Sequence, residues 1–153
     1  MRLEFLMTYQ VRLIHPMPRT EPGPFGRRVW SAVAGGAFEG PRLRGRIEAG
    51  GDWGLVDGLG TLRLDAKVLF VTEDGAGFTG TYFGILKSLD GTPTIKIGAG
   101  TRFGEQYFMT TPRFETGDPR YAWLNDLVCV AEGRQLDGGV EYRVHAVLND
   151  HPD

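Results

Sequence analysis

The chain has 153 residues, of which 41% are hydrophobic and 24% are charged. This length is typical of one domain with a sizeable core, and this composition excludes an intrinsically disordered chain. The formal net charge of −2 argues against a surface that binds nucleic acid. We therefore expect a single domain over residues 1–153 with no nucleic-acid partner.

Glycine is the unusual component of this chain. There are 23 glycines and nine prolines, which predict many turns and few long helices. From Leu3 to Leu13 every second residue is apolar, a pattern typical of a strand with one buried face. Residues 15–24 contain four prolines and are predicted to form a loop.

Further strand patterns follow, separated by glycine-containing turns. Residues 62–70 and 78–86 predict a hairpin around the turn Glu73-Asp74-Gly75. The remaining predicted strands cover residues 94–97, 106–111, 127–132 and 141–148, with a turn at 137–139. Eight to ten short strands without intervening helices predict an all-β fold, either a sandwich or a barrel. Glycines within the strands favour the strong curvature of a closed barrel; they are Gly80, Gly84, Gly98 and Gly100.

Two short stretches contain acidic residues that are candidates for catalysis. In Gly50-Gly51-Asp52-Trp53, paired glycines allow a tight turn beside an acid and an aromatic ring; alternatively, this is a capped turn with a core tryptophan. Asp65 lies on the strand face opposite Leu62 and Leu64. In a sandwich this face is exposed to water. In a barrel whose wall packs outward against its neighbours, this face would line a cavity, and the loss of water there would raise the pKa of Asp65, as acid/base catalysis requires.

A third stretch, residues 106–125, is the richest in polar and aromatic side chains. If residues 121–125 are extended, Tyr121, Trp123 and Asn125 share one face and suit a planar organic ligand. In the alternative interpretation, Tyr121 and Trp123 belong to the core and Asn125 caps the next turn.

Other classes of site are not supported by the sequence. Cys129 is the only cysteine, so no intrachain disulfide can form, and its apolar surroundings predict a buried, inert thiol. The three histidines are far apart and match no metal-binding spacing, so we expect neither a metal nor a cofactor. No signal peptide or long apolar run is present, so we expect a cytoplasmic protein with no membrane partner.

These motifs together resemble a known family. Gly-Gly-Asp-Trp at 50–53, Leu-Asp-Ala at 64–66, Asp74-Gly75-Ala76 and the stretch from Tyr107-Phe108 to Leu124-Asn125 are similar to the family called domain of unknown function 3237. Residues 38–45 also resemble that family's opening strands. The resemblance implies a small closed or nearly closed antiparallel β-barrel with a central pocket, similar to allene oxide cyclase-like barrels and often oligomeric.

From these features we expect a cofactor-independent enzyme acting on a small organic molecule, aromatic or polycyclic, in the barrel pocket. Carboxylate acid/base chemistry would support an isomerase, cyclase, dehydratase or hydrolase; the alternative is a non-catalytic barrel that binds a hydrophobic ligand. We also expect a homo-oligomer. The predicted acid/base residues are Asp52, Asp65 and Glu115, and the predicted substrate-binding residues are Trp53, Tyr82, Tyr107, Phe114, Tyr121, Trp123 and Asn125.

Overall fold

The computed structural model describes residues 1–90 and 100–151. Within these residues, nine strands belong to one antiparallel sheet, and a short 3-10 helix, Pro119–Asp126, precedes the last two strands. The strands are β1 (Arg2–Leu13), β2 (Arg27–Glu39), β3 (Arg44–Val56), β4 (Leu62–Thr72), β5 (Gly77–Ser88), β6 (Gln106–Thr110), β7 (Arg113–Glu115), β8 (Cys129–Leu136) and β9 (Gly139–Leu148).

The sheet closes on itself. Its order is β4-β3-β2-β1-β9-β8-β6-β5-β7, and β4 also pairs with β5, from Leu62 opposite Leu86 to Val71 opposite Gly77. Because β6 and β7 pair with successive parts of β5, the barrel has eight strands in cross-section. The predicted closed barrel is confirmed, and the sandwich is excluded.

Aromatic rings fill the centre of the barrel. Phe70 stacks on Phe78 with ring centroids 4.7 Å apart, and Tyr9 lies 4.8 Å from Tyr142 by the same measure. The Cys129 thiol is buried as predicted, and burial raises its pKa to about 11. The interior of the barrel is therefore a packed core with little free space. The described residues do not form the ligand-sized central pocket that the resemblance implies.

Two strands were not recognisable from the alternation of apolar residues. β2 and β3 are 13 residues long, but paired glycines at 35–36 and 50–51 interrupt the period-two pattern within them. The predicted strand at 94–97, together with Gly98, lies outside the described residues. The other predicted strands and turns match observed elements to within a few residues, except for the extended segment at 121–125, which is part of the 3-10 helix.

The two ends of the barrel differ. We call the end where β3 ends and β4 begins the mouth end; it also carries the loop of residues 14–26 between β1 and β2. We call the opposite end the helix end, since the 3-10 helix lies there beside the β4–β5 turn. No helix in residues 1–90 and 100–151 has the length and apolar character needed to cross a membrane.

Candidate functional site

A bulge in β3 turns Asp52 into the barrel. Ile47 pairs with the buried Phe70, but Ala49 pairs with Leu69 on the outer face, so one extra residue is inserted between them. Such an insertion reverses which residues face inward. After the bulge, Asp52 is paired with the buried Ala66 and therefore projects into the barrel.

The Asp52 carboxyl group is poorly solvated. Its Oδ1 accepts a hydrogen bond from the Asp65 backbone N–H at 2.7 Å, whereas its Oδ2 has no hydrogen-bond partner in the described part of the chain. Burial raises the pKa of Asp52 to about 6; the backbone hydrogen bond from Asp65 and the charge of Arg28 lower it, while the Asp65 carboxylate raises it. Asp52 can therefore exchange a proton close to neutral pH.

A small cavity of about 40 Å³ lies beside Asp52, lined also by Tyr82 and Tyr142. Since one water occupies about 30 Å³ in the liquid, this space has room for about one water or one small substrate group. Burial raises the pKa of Tyr82 to about 12 and that of Tyr142 well above 10, so both phenols stay neutral and can donate hydrogen bonds. Among the described residues that line this cavity, Asp52 is the only one with a carboxyl group.

Gly54 lies next to Asp52 on the mouth side. It follows Asp52 on the inner face of β3, and a Cβ atom at this position would lie 2.8 Å from Leu62 Cδ1 and 3.3 Å from Asp52 Oδ2. Beyond Gly54 the inner face continues to Val56, which pairs with Arg27. The free oxygen of Asp52 therefore lies beside Gly54 toward the mouth end, where the Leu62 side chain packs over the glycine.

The mouth end holds the larger space, an open cavity of about 1130 Å³. It lies between the inner faces of β2 and β3 and the loop of residues 14–26. Met17 belongs to its lining, and Met17 Sδ accepts a hydrogen bond of 3.4 Å from Ser31 Oγ. Ser31 in turn is the cross-strand neighbour of Asp52 and lines the small cavity. The Met17–Ser31 contact thus joins the lining of the mouth cavity to that of the small cavity.

The structure places two of the three predicted acids on the outside of the barrel. Asp65 is exposed because it alternates with the inward-facing Leu64 and Ala66, so the expectation that it lines a cavity is wrong. Glu115 in β7 is also exposed. Neither carboxylate shares the interior with Asp52.

Two of the aromatic residues predicted to line the pocket likewise lie on the outer surface of the barrel. Trp53 is 56% exposed and pairs with Trp30, with ring centroids 4.4 Å apart, on the face opposite Asp52. Tyr107 is 40% exposed on β6, beneath the ammonium group of Lys87. Of the predicted walls, Tyr82 lines the small cavity, whereas the buried Phe114 packs against Phe70 and Phe78 in the core.

The three residues expected to share one extended face lie in the 3-10 helix at the helix end. The Tyr121 hydroxyl donates a hydrogen bond to Asp74 at 3.0 Å, and Trp123 lies under the guanidinium group of Arg42 at 3.7 Å. Asn125 Oδ1 accepts from Thr116 N–H at 2.8 Å, and its amide donates to the Thr116 carbonyl. These residues fasten the helix to the barrel, at the end opposite Asp52.

Sequence reasoning missed Ser31, Tyr142 and Arg27, which line the cavities near Asp52. Tyr142 follows the alternation of β9 and could have been found, whereas Ser31 and Arg27 lie in the glycine-interrupted β2. Among the residues that the structure describes, no group of three or more His, Cys, Asp or Glu side chains could hold a metal ion.

The fold and this site define a class of protein: a small closed antiparallel β-barrel with a partly buried carboxyl group, that of Asp52, directed into the barrel near its open end. The family model described as Protein of unknown function (DUF3237) matches residues 1–147. The chain therefore belongs to this family.

Relatives of the chain have the same barrel. A UPF0311 protein of Rhodopseudomonas palustris, RPA1785, is 30% identical over 150 residues, which are 95% of each chain. The crystal structure of the R. palustris protein of unknown function RPA1785 is similar with a TM-score of 0.86, covering 97% of this chain and 99% of that one. A β-barrel-like protein of Acinetobacter baumannii has a TM-score of 0.81 at 30% identity, covering 95% and 94% of the two chains.

A more distant structure is that of an enzyme from Penicillium herquei. It has a TM-score of 0.68 and is 22% identical, covering 95% of this chain and 94% of that one. At this identity the likeness shows the fold alone.

Proposed function

We propose that this protein is an enzyme that transfers a proton to or from a small organic molecule bound at the mouth end, with Asp52 as the acid/base group. One observation carries the proposal: among the described residues Asp52 is the only one whose carboxyl group lines the inner cavity, and its unpartnered Oδ2 lies beside Gly54 toward the mouth end. A carboxyl group placed there is poorly hydrated, and a molecule bound at the mouth would approach it past Gly54 and Leu62.

The chemistry of Asp52 suits isomerisation, cyclisation or dehydration. As the acid it would give its proton to a carbon or oxygen atom of the substrate, and as the carboxylate it would take one back, so the group is unchanged at the end of the cycle. With a pKa of about 6, both forms are populated near neutral pH. The neutral hydroxyl of Tyr82 would donate a hydrogen bond to a substrate oxygen on which charge develops.

The P. herquei protein supports the proposal in one limited respect. That protein is described as an enzyme and has the same fold as this chain. The fold can therefore carry a catalytic site, but substrate and reaction have to be argued from the residues of this chain.

The test is proton exchange in heavy water. The purified protein is incubated in D₂O with a set of small aromatic and polycyclic compounds that carry enolisable or olefinic carbons, and deuterium incorporation and new products are followed by mass spectrometry. We expect incorporation into at least one compound, reduced by about 100-fold or more in Asp52→Asn, because general acid–base catalysis contributes about 10²–10⁴-fold.

Asp65→Asn is the matched control, since it makes the same change to an exposed carboxylate on the outer face of the neighbouring strand. It should change the exchange rate far less than Asp52→Asn does, because the Asp65 carboxylate acts on Asp52 only through its charge. Equal rates for wild type and Asp52→Asn would refute the proposed role of Asp52. If compounds bind at the mouth and none exchanges or reacts, the alternative function, a non-catalytic barrel that binds small molecules, replaces this one.

We also propose that the barrel self-associates through an apolar groove on its outer face, along β5, β6 and β8. Phe83, Tyr107 and Met109 expose large apolar side chains there, and Ile85 and Val130 complete a groove of about 650 Å³. Arg63 lines the groove, and Asp65 is paired with Phe83 across the strands. A two-fold contact could therefore bring each Arg63 close to the partner's acidic side chain while the apolar groups are buried.

A further inference from the structure

The mouth cavity contains two arginines without a counter-charge. Arg27 and Arg19 both line it, and neither forms an ion pair with any residue that the structure describes. Arg27 is half-buried, and its Nε is fully buried without a hydrogen-bond acceptor. A half-buried guanidinium group without a counter-charge is unfavourable, so an anion that binds the accessible N–H groups of Arg27 would offset part of that cost.

Strand pairing places both arginines on the side of the sheet that leads to Asp52. Arg27 pairs with Val56, two positions beyond Gly54 on the inner face of β3. Arg19 pairs with Val29, which itself pairs with Gly54. Since paired residues of neighbouring strands point to the same face, both guanidinium groups belong to the face that carries Asp52 further in.

The negative charge in the cavity lining is already neutralised. Within residues 1–90 and 100–151, Asp57 is the only acidic residue that lines this cavity. Its carboxylate accepts hydrogen bonds from the backbone N–H groups of Leu59 and Thr61 and from the side chain of Arg63, and these contacts lower its pKa. Asp57 is therefore turned toward its own loop, and the two arginines give the mouth cavity an excess of positive charge.

The rest of the lining is apolar. Phe25 and Leu59 are largely exposed at its rim, and Val29 and Val56 form part of its floor. Such a surface binds a hydrocarbon or aromatic body, whereas a guanidinium group binds carboxylate, sulfonate or phosphate oxygens through two parallel N–H groups.

We infer that the mouth cavity binds an organic anion with an apolar body, whose acidic group pairs with Arg27, assisted by Arg19, while the body extends across Gly54 toward Asp52. The inference rests on the proposed function, for which it specifies the class of substrate: an amphipathic carboxylate, sulfonate or phosphate. It is not a statement about the chemical step.

A matched pair of fluorescent probes tests this inference. 1-Anilinonaphthalene-8-sulfonate carries a sulfonate, whereas N-phenyl-1-naphthylamine has the same ring system without the charge. Both are titrated into the full-length protein, and affinity and stoichiometry are measured by fluorescence. We expect the sulfonate to bind in a 1:1 complex and the neutral probe to bind at least about 10-fold more weakly, as a charge-assisted hydrogen bond contributes about that much.

Substitutions of single arginines show which side chain binds the sulfonate group. Arg27→Gln should weaken binding of the sulfonate by about 10-fold or more and leave the neutral probe unaffected, and Arg19→Gln should have a smaller effect in the same direction. Arg12→Gln is the matched control, because Arg12 is an exposed arginine on the same end of the barrel, paired with Gly35 and Gly139 and without an ion pair in the described residues. If Arg12→Gln weakens the sulfonate as much as Arg27→Gln, or if Arg27→Gln changes nothing, the inference is overturned.

The experiment also separates this inference from the proposed catalysis. Asp52→Asn should retain binding of the sulfonate, because Asp52 lies inward of the proposed anion site. If deuterium exchange requires Asp52 but binding of the sulfonate does not change in Arg27→Gln, only the anion site is overturned. The reverse result, binding that needs Arg27 with no reaction that needs Asp52, would overturn the catalytic role alone.

Discussion

At the scale of single residues, the environment of Asp52 has a thermodynamic consequence that needs no substrate. The pKa of this carboxyl group is about 6 in the folded protein, against 3.8 for an ordinary aspartate. The folded state therefore binds the proton more tightly than the unfolded state, and ionisation of Asp52 destabilises the fold. This penalty is absent below about pH 4, develops between about pH 4 and pH 6, and is complete above pH 6.

Asp52→Asn should remove that penalty. The amide oxygen at position 52 can still accept the hydrogen bond from the Asp65 N–H, but the variant carries no charge to desolvate. We expect the free energy of unfolding of the variant, relative to wild type, to rise by about 2–3 kcal/mol between pH 4 and pH 8. Urea unfolding of both proteins at both pH values measures this change. The contributions of the other titrating groups are the same in wild type and variant, so they cancel when the two free energies of unfolding are subtracted. A difference that does not change with pH would contradict the raised pKa.

An acid that destabilises its own fold is informative about function. Stability alone would favour asparagine or a small apolar residue at this position, so retaining a buried carboxyl group fits a site where proton transfer matters more than stability. Asp65, one strand away, is instead exposed to water on the outer face of the barrel. Because Asp52 is largely shielded from water and Asp65 is exposed, the proposed mechanism uses only Asp52 as the acid/base group.

At the scale of elements, glycines determine how closely the strands of the barrel approach. Gly84 in β5 is paired with Thr110, and a Cβ atom at this position would lie 2.7 Å from the Met109 carbonyl oxygen and 2.6 Å from the Thr110 Cγ2. The backbone of β6 cannot move away from such a contact without losing its pairing with β5. Gly84 is therefore required for the closure of the barrel at β5–β6.

Gly84→Ala should lower the free energy of unfolding by about 1–3 kcal/mol, the usual cost of overpacking a tight site. Gly77→Ala is the control in the same strand, because the nearest atom to its added Cβ is Leu69 Cδ1 at 4.0 Å. That variant should be neutral or up to about 1 kcal/mol more stable, since alanine restricts the unfolded chain. Urea unfolding compares the three proteins, and equal stabilities would show that β5 and β6 are not in tight contact.

The same glycines explain which elements could be predicted from the sequence. The alternation in β4 and β9 predicts these strands correctly. It also predicts β1, but the single buried face expected for β1 is wrong at Leu3 and Phe5, because a bulge between Phe5 and Met7 turns these two residues outward. β2 and β3 are not predicted, because glycines interrupt the alternation in both strands and the bulge before Ala49 reverses the inward face of β3. Whether Asp52 or Trp53 faces inward depends on that bulge, and a single residue slip cannot be read from a period-two pattern.

The 3-10 helix shows a second limit. Tyr121, Trp123 and Asn125 would share a face in an extended segment, but Asp118 caps a helical turn by accepting a hydrogen bond from the Arg120 N–H. Asp118 followed by Pro119 is a helix-start signal in the sequence, but a chain interpreted as strands throughout gives it no weight. The alternation therefore predicts a ligand site for the aromatic residues, whereas in the structure they attach the helix to the barrel.

At the scale of the whole molecule, the barrel has an inside that is nearly filled and an outside that is unusually apolar on one side. In the part of the chain that the structure describes, the cavity beside Asp52 has a volume of about 40 Å³, so a larger ligand has to use the mouth. The outer groove along β5, β6 and β8 is apolar and shares no lining residue with the mouth cavity. Exposed apolar surface of this kind is typical of contacts between protein molecules.

The proposed self-association predicts that one charge in this groove is enough to separate the subunits. Phe83 is 62% exposed and central to the groove, so Phe83→Lys should convert the assembly to monomers, because two ammonium groups would be desolvated together at the centre of a two-fold contact. The substitution should not harm the fold, since Asp65 is its cross-strand neighbour and can pair with the lysine.

Leu3→Lys is the matched control: Leu3 is 58% exposed on β1, on the opposite side of the barrel from β5. Sedimentation velocity should give an oligomer for wild type and Leu3→Lys and a monomer of about 17 kDa for Phe83→Lys, given the chain mass of 16.9 kDa. A monomeric wild type would refute the proposal. An oligomer that survives Phe83→Lys would place the contact elsewhere on the barrel, because a two-fold interface cannot bury two lysines at its centre without weakening.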